Sequence, residues 1–323
     1  MKNFLKKVPI PICGLMLGLA SLGNLLKSYN LFLLGNICGV IAAIIFLLVL
    51  SKILLTFRHV KDTLADPIVA SVSPTFTMGT MVLTTYIYPI PSLALVAKII
   101  WFVAIVLHYC LMFYFVYNFL IKPNVTIEHL YPSWFIVFVG LGVIAVTSPN
   151  YSVLFGQINF WIGLFFYLLL LPMIIHRVFR VKNMPNPTLP LITIIAAPGS
   201  LELTGYLKAF PSPNSFLLFL LLALSQVLYL FIFTRIIKLF ILSRVKKSLH
   251  LPFYPSYAAF TFPMVISAMA ITTATKQISA GSILFSVLNR LAVVETGIAC
   301  IIVLYVLVHY LVFFKKIWLE SVK

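Results

Sequence analysis

The sequence predicts an all-α integral membrane protein with ten transmembrane helices, and three observations carry this prediction. Hydrophobic residues make up 62% of the chain and charged residues 9%, with a mean hydropathy of +1.12, whereas a soluble protein has about 25% charged residues. Apolar runs such as 31–50 and 216–233 do not alternate in character. Their length of about 20 residues is that of a membrane-spanning helix rather than of a barrel strand. A proline followed by an apolar run also recurs along the chain.

The recurring prolines are spaced by 58, 65, 58 and 62 residues, and each interval holds two apolar segments of membrane length. A repeat of this size indicates tandem structural units. Two spans return the chain to its starting side, so five hairpins all point the same way, which predicts a quasi-five-fold ring. The repeat prolines are Pro9, Pro67, Pro132, Pro190 and Pro252. The predicted spans are 8–27, 31–52, 67–88, 92–119, 132–149, 153–175, 188–207, 214–240, 253–275 and 281–313.

Helix-breaking residues collect in the odd-numbered spans, whereas spans four and eight contain neither glycine nor proline. A proline inside a helix frees carbonyl groups, which a membrane protein tolerates only against other protein or a water-filled cavity. We therefore expect the odd spans to line a central pore and the even spans to face lipid. Simple helix packing is the alternative, because glycine and proline are common in membrane helices. The candidate pore-lining or kink residues are Gly14, Gly18, Pro74, Gly79, Gly140, Pro198, Gly199 and Pro263.

The net charge of +17 predicts membrane topology rather than nucleic-acid binding. Eighteen lysines and arginines fall on one side of the predicted spans, and four lysines fall on the other: Lys27, Lys98, Lys208 and Lys276. The positive-inside rule places both termini in the cytoplasm of a multi-pass plasma-membrane protein. The first apolar run is too long and proline-rich for a cleavable signal, so we expect it to remain. Short connections predict a single membrane domain over residues 1–323.

Catalytic chemistry finds little support in the sequence. Four of the six acids lie in loops or tails, and none of the common hydrolase, nucleotide-binding or metalloprotease motifs is present. The four cysteines are scattered singly, without the spacing of a metal site. We expect neither an enzyme nor a bound cofactor or metal.

Two acids, Glu202 in span seven and Glu295 in span ten, are expected at membrane depth. An ionised acid costs about 2.5–3.5 kcal/mol at the centre of a membrane helix, so each should be paired, protonated or functional. Glu202 is a candidate proton-coupling residue, although a structural hydrogen bond explains it equally well. For Glu295 and His108 a structural hydrogen bond is the simpler interpretation. Arg290 lies about 140° around the helix from Glu295 and has no predicted partner.

The expected substrate is a small anion held weakly. The inner spans carry one acid and no interior lysine or arginine, and weak binding suits fast passage. Hydroxyl groups in span three and the positive ends of broken helices are candidate ligands. Those hydroxyl residues are Ser71, Ser73, Thr75, Thr77 and Thr80. Phe262, beside Pro263, is either an ordinary packing residue or a plug at a kink.

Four segments carry a family resemblance: 9–20 (PIPICGLMLGLA), 132–140 (PSWFIVFVG), 195–205 (IAAPGSLELTG) and 260–264 (FTFPM). They resemble the first, fifth, seventh and ninth helices of the tellurite-resistance and dicarboxylate transporter family, which includes bacterial tellurite-resistance permeases, fungal malate permeases and plant guard-cell slow anion channels. The similarity extends in order and spacing over all ten spans.

The resemblance implies a homotrimer in which each protomer holds its own pore, formed by five inner helices. It also implies that Phe262 is the pore gate, that Gly14 lies close to the pore and that Pro198 kinks the seventh helix. The segment before the gate, 257–260 (YAAF), is less aromatic than in many members. Long regulatory tails like those of the plant channels are absent from this sequence, so kinase control is not expected.

The predicted function is therefore a channel or transporter for small anions such as chloride or nitrate, gated by Phe262. The alternative is a proton-coupled carrier of C4-dicarboxylates or of oxyanions such as tellurite, with Glu202 as the titrating group.

Overall fold

The computed structural model describes residues 2–122, 126–181, 184–245 and 253–322, together with their side chains except those of 239–245 and 321–322. Every regular element in these ranges is helical. Pro252, the last repeat proline, lies outside the described residues. The α-helices are α1 (Lys2–Lys7), α2 (Ile12–Ser28), α3 (Phe32–Leu55), α4 (Phe57–Thr63), α5 (Pro67–Val72), α6 (Thr75–Ile87), α7 (Ala94–Val116), α8 (Trp134–Phe138), α9 (Gly142–Thr147), α10 (Val153–His176), α11 (Ala197–Ala209), α12 (Ser215–Val245), α13 (Thr261–Thr275) and α14 (Ile283–Val322).

Short 3₁₀ and π segments extend several of these helices. The 3₁₀ segments Asn186–Ala196 and Pro255–Phe260 lead directly into α11 and α13. π turns at Tyr117–Ile121 and Arg177–Val181 end α7 and α10. The remaining 3₁₀ segments are Pro91–Leu93, Ile127–His129 and Ser148–Asn150.

Within the described residues, eight helical stretches are long and apolar enough to cross a membrane, so the chain is a multi-pass membrane protein. They correspond to the predicted spans two, three, four and six to ten. The first predicted span contains the 17-residue α2, which is shorter. The fifth is divided into α8 and α9, of 5 and 6 residues, by a break at Val139–Leu141. Gly140 lies at the centre of this break, and a glycine weakens a helix at an interior position.

Burial separates two classes of segment. The stretches Pro67–Ile87, Asn186–Ala209 and Pro255–Thr275 are 72–89% buried, whereas the other five long stretches are 28–39% buried. Large apolar side chains such as Leu33, Phe113 and Phe216 are exposed on the second class. An apolar surface of this extent requires lipid or protein around it.

The buried helices contact one another in chain order. Helix α2 contacts α6, α6 contacts α9, α9 contacts α11, α11 contacts α13, and α13 contacts α2 again. The exposed helices cover this closed set from outside: α3 on α2, α7 on α6, α10 on α9 and α11, α12 on α11, and α14 on α13.

Each buried segment changes its helical path at a proline or glycine. Pro74 separates α5 from α6, and Pro198 and Pro263 lie in the first turns of α11 and α13. At the start of α2, which follows Pro11, the amides of Cys13 and Gly14 donate to the carbonyls of Ile10 and Pro11 at 3.0 and 2.9 Å.

Close glycine contacts join α2 to α3. A Cβ atom placed on Gly23 would collide with the Gly35 carbonyl oxygen and the Tyr86 hydroxyl, and one on Gly39 would collide with the Tyr86 ring. Gly35 and Gly39 are four residues apart and therefore share a helix face. This face brings the two backbones together.

Gly23→Ala is expected to destabilise the protein by about 1–3 kcal/mol, because the new methyl group overpacks the contact between α2 and α3. Gly297→Ala is the matched control, since nothing lies within 4 Å of a Cβ placed there. Thermal unfolding of the purified protein in detergent measures both. Equal unfolding temperatures for the two variants would contradict the close contact.

Candidate functional site

Two cavities lie among the buried segments and meet at Leu201 and Phe262, the two residues that line both. We call the smaller one, of about 70 Å³, the apolar cavity. The larger one, of about 320 Å³, we call the vestibule. Each cavity is lined by residues from all five odd-numbered predicted spans.

In each of the five segments, the residues that line the two cavities come in the same order along the chain. In the first segment Gly14 and Leu17 line the apolar cavity, and Asn24 and Lys27 line the vestibule. In the other four segments, too, the residues of the apolar cavity precede those that line only the vestibule, and Leu201 and Phe262 line both. The five segments therefore run in one direction past both cavities.

The apolar cavity contains four of the candidate residues: Gly14, Gly140, Pro198 and Pro263. Its only hydroxyl-bearing residues are Thr75 and Ser256. Both hydroxyls donate to backbone carbonyls, that of Thr75 to Val72 at 2.6 Å and that of Ser256 to Pro187 at 2.5 Å. This cavity therefore offers little to replace the hydration shell of an ion.

The other four candidates do not line either cavity. Pro74 caps α6 at the bend, and Gly79 packs against Met16 and Leu17. Gly199 faces Tyr167, with 2.8 Å between its ideal Cβ position and the Tyr167 hydroxyl. These three positions serve bending and helix packing.

Gly18, the last candidate, packs against the residues that carry Phe262. Its ideal Cβ position is 2.6 Å from Thr261 Oγ1 and 3.3 Å from the Phe262 amide nitrogen. The Thr261 hydroxyl also donates to the Gly14 carbonyl at 2.9 Å. The glycine face of α2 thus holds the start of α13 and sets the position of the Phe262 ring, which is only 8% exposed.

Most hydroxyl groups of span three donate hydrogen bonds to backbone carbonyls and do not face a cavity. Ser73, Thr77 and Thr80 donate to the carbonyls of Ala70, Pro74 and Phe76 at 2.7–2.8 Å. The Ser71 hydroxyl bonds to Ile68 and to Ser133. Apart from Thr75, these residues line neither cavity. They satisfy carbonyl groups around the bend at Pro74.

Glu202 is completely buried, and neither of its carboxyl oxygens has a hydrogen-bond partner among the described residues. It faces α9 and α10, where Gly163 and Gly142 make room for it. The Tyr167 hydroxyl is likewise buried without a partner. Because Glu202 lines neither cavity, it points away from Leu201, its neighbour in sequence.

Glu295 and His108 make the structural hydrogen bonds that the sequence favours. Ser267 on α13 donates to Glu295 Oε2 at 2.8 Å. His108 Nδ1 lies 2.8 Å from Thr77 Oγ1, and its Nε2 lies 3.3 Å from the Val137 carbonyl oxygen. Arg290 is exposed on α14.

The vestibule is basic and less apolar than the other cavity. Lys27, Lys208 and Lys276 line it, together with Asn24 and Asn150. The sequence placed these lysines on one side of the membrane but gave no sign that they share a cavity. Leu201, which lines both cavities together with Phe262, was also not singled out from the sequence. It lies one helical turn beyond Pro198. Among the described residues, no three His, Cys, Asp or Glu side chains gather into a metal site.

Buried segments that surround two cavities in a multi-pass membrane protein are an arrangement typical of channels and transporters. The family comparison agrees. Residues 7–311 match the SLAC1 family, described as voltage-dependent anion channels, and the chain belongs to this family. This confirms the resemblance seen in the sequence and supports anion transport at the family level. A comparison with curated proteins found no match.

Thr261→Val is expected to lower stability by about 0.5–1.5 kcal/mol, because it removes the hydroxyl that joins α13 to the Gly14 carbonyl. In Thr234→Val, the control, the lost hydroxyl bonds only to Phe231 of its own helix. Thermal unfolding compares the two variants. A loss in Thr234→Val equal to that in Thr261→Val would show that the contact between α2 and α13 adds nothing.

Proposed function

We propose that the protein is a passive channel for small monovalent anions such as chloride and nitrate. Ten spans form five parallel hairpins, and the odd spans surround a pore that runs from the vestibule through the apolar cavity. Phe262, together with Leu201, closes this pore until the ring moves aside. The observation that carries the proposal is that these two residues alone line both cavities.

Charge supports an anion as the permeant species. Three lysines and no acid line the vestibule, and a cavity lined by one sign of charge concentrates ions of the opposite sign. The apolar cavity has no charged residue in its wall. Weak attraction at the entrance and no trap beyond it favour rapid passage of an ion that loses its hydration shell easily.

We extend the proposal to the orientation and assembly of the protein in the membrane. The excess of lysine and arginine on one side supports cytoplasmic termini in the plasma membrane, and one pore-forming domain accounts for residues 1–323. The family resemblance supports a homotrimer of independently conducting protomers. The mass of the detergent-solubilised particle tests the trimer.

A proton-coupled carrier of C4-dicarboxylates or of oxyanions such as tellurite is the second candidate. It is favoured by Glu202, whose buried and unpartnered carboxyl group has the environment of a proton-binding group. Its position outside both cavities counts against direct contact with a permeating ion. Coupling through Glu202 would have to act through the packing of α9, α10 and α11.

Phe262→Ala is expected to raise chloride or nitrate conductance in reconstituted bilayers about tenfold or more. The ring loses packing worth about 1.5–3 kcal/mol when it leaves the constriction, and the substitution removes this barrier. Phe165→Ala, on the exposed face of α10, is the control. Unchanged conductance in Phe262→Ala, with malate uptake that depends on a proton gradient, would reject the channel.

Glu202→Gln separates the two candidate functions. A channel keeps its anion current in this variant, because Glu202 does not line the cavities. A carrier loses the coupling between proton and substrate fluxes. Simultaneous measurement of internal pH and anion uptake in proteoliposomes distinguishes the two, and loss of coupling at unchanged protein yield would favour the carrier.

A further inference from the structure

Three lysines bring positive charge to the vestibule. Lys27, Lys208 and Lys276 line one cavity of about 320 Å³. Like charges that share a cavity repel one another, and a bound anion relieves that repulsion. The arrangement therefore favours an occupant with more than one negative charge.

The protein itself supplies no such charge. The only ion pair in the described part of the chain joins Lys7 to Glu320. Of the six acids, Glu202 and Glu295 are buried between helices, and none lines the vestibule. The ammonium group of Lys27 lies 3.8 Å from the centre of the Tyr86 ring, a contact that does not neutralise its charge. Lys208 and Lys276 are exposed.

The lysines are also the main free hydrogen-bond donors of the vestibule. The hydroxyls of Thr272, Thr273 and Thr147 donate to carbonyls of their own helices at 2.6–2.8 Å. Asn24 donates to Thr85 at 2.8 Å. An ammonium group carries three donors and acts as a compact, strongly hydrated charge. Such groups suit a small oxyanion with several acceptor oxygens.

The same anion meets an unfavourable environment beyond the constriction. The apolar cavity has a volume of about 70 Å³, and its two hydroxyls already donate to backbone carbonyls. The cost of removing an ion from water rises with the square of its charge, so a divalent anion pays about four times the penalty of a monovalent one of equal size. Entry into the vestibule and passage through the pore therefore have opposite charge preferences.

We propose that the vestibule is a binding site for small divalent oxyanions, with sulfate as the simplest example, and that its occupant obstructs the passage of monovalent anions. Lys208 and Lys276 provide most of the positive charge that binds the anion, and Lys27 adds a third positive charge to the same cavity. Binding depends only on the vestibule, whereas obstruction rests on the proposed channel function.

Binding is tested first, without any measurement of transport. Sulfate is titrated into the purified full-length protein at constant ionic strength, and the shift in unfolding temperature gives an apparent affinity. The double variant Lys208→Gln/Lys276→Gln is expected to bind sulfate about a hundredfold more weakly, or about tenfold for each lysine. Lys98→Gln is the matched control, because this exposed lysine is on the same predicted side but does not line the vestibule.

Obstruction is tested with chloride currents of Phe262→Ala in bilayers. Sulfate added on the vestibule side is expected to reduce the current, and the same concentration on the other side is expected to leave it largely unchanged. Adding the double lysine substitution should shift the half-blocking concentration upward by the factor seen in binding, and adding Lys98→Gln should not shift it.

Each outcome has a distinct meaning. Sulfate binding that is absent, or that Lys98→Gln weakens as much as the double variant does, would overturn the site. A sulfate current through Phe262→Ala would overturn obstruction. Lysine-dependent binding without any anion current would support the site and reject the proposed channel function.

Discussion

The structure depends on the requirement that every backbone polar group inside a membrane find a partner within the protein. The buried segments bend at Pro74, Gly140, Pro198 and Pro263, and bends free carbonyl groups. Serine and threonine hydroxyls take up several of these groups, as Thr75 and Thr77 do beside Pro74. The long, apolar helices α3, α7, α10, α12 and α14 then cover the bent ones, so that the irregular backbone stays within protein.

The same bends shape the cavities. Where a segment changes direction, small residues such as Gly14 and Gly140 line the cavity wall. Neighbouring segments pack closely against both of them, Ala258 against Gly14 and Met78 against Gly140. Two large side chains, Leu201 on α11 and Phe262 on α13, line both the apolar cavity and the vestibule. The contacts of Gly18 and Gly14 with Thr261 hold the start of α13 against α2, and this packing sets the position of Phe262. The proposed gate is thus a consequence of how α2 and α13 pack.

The sequence predicted what depends on local chemistry and missed what depends on three-dimensional contact. Prolines and glycines predicted the bent segments, and the family resemblance implied Phe262 as the gate, a role that stays a prediction. The position of Leu201 beside both cavities could not be predicted, because the sequence does not show in which direction one leucine of an apolar helix points. The hydroxyl groups of span three, which were expected to bind an anion, instead donate to backbone carbonyls. The bend at Pro74 leaves carbonyl groups close to these hydroxyls. The shared cavity of Lys27, Lys208 and Lys276 joins residues far apart in the chain.

The central claim is that one continuous path is closed only at Phe262 and Leu201. Single cysteines at Thr273 in the vestibule and Ala259 in the apolar cavity, in a background without the four native cysteines, can be treated with a charged, impermeant thiol reagent from the vestibule side. The account predicts that Thr273→Cys reacts in both backgrounds and that Ala259→Cys reacts quickly only when combined with Phe262→Ala. Equal labelling of Ala259→Cys with and without Phe262, or no labelling in either case, would contradict it.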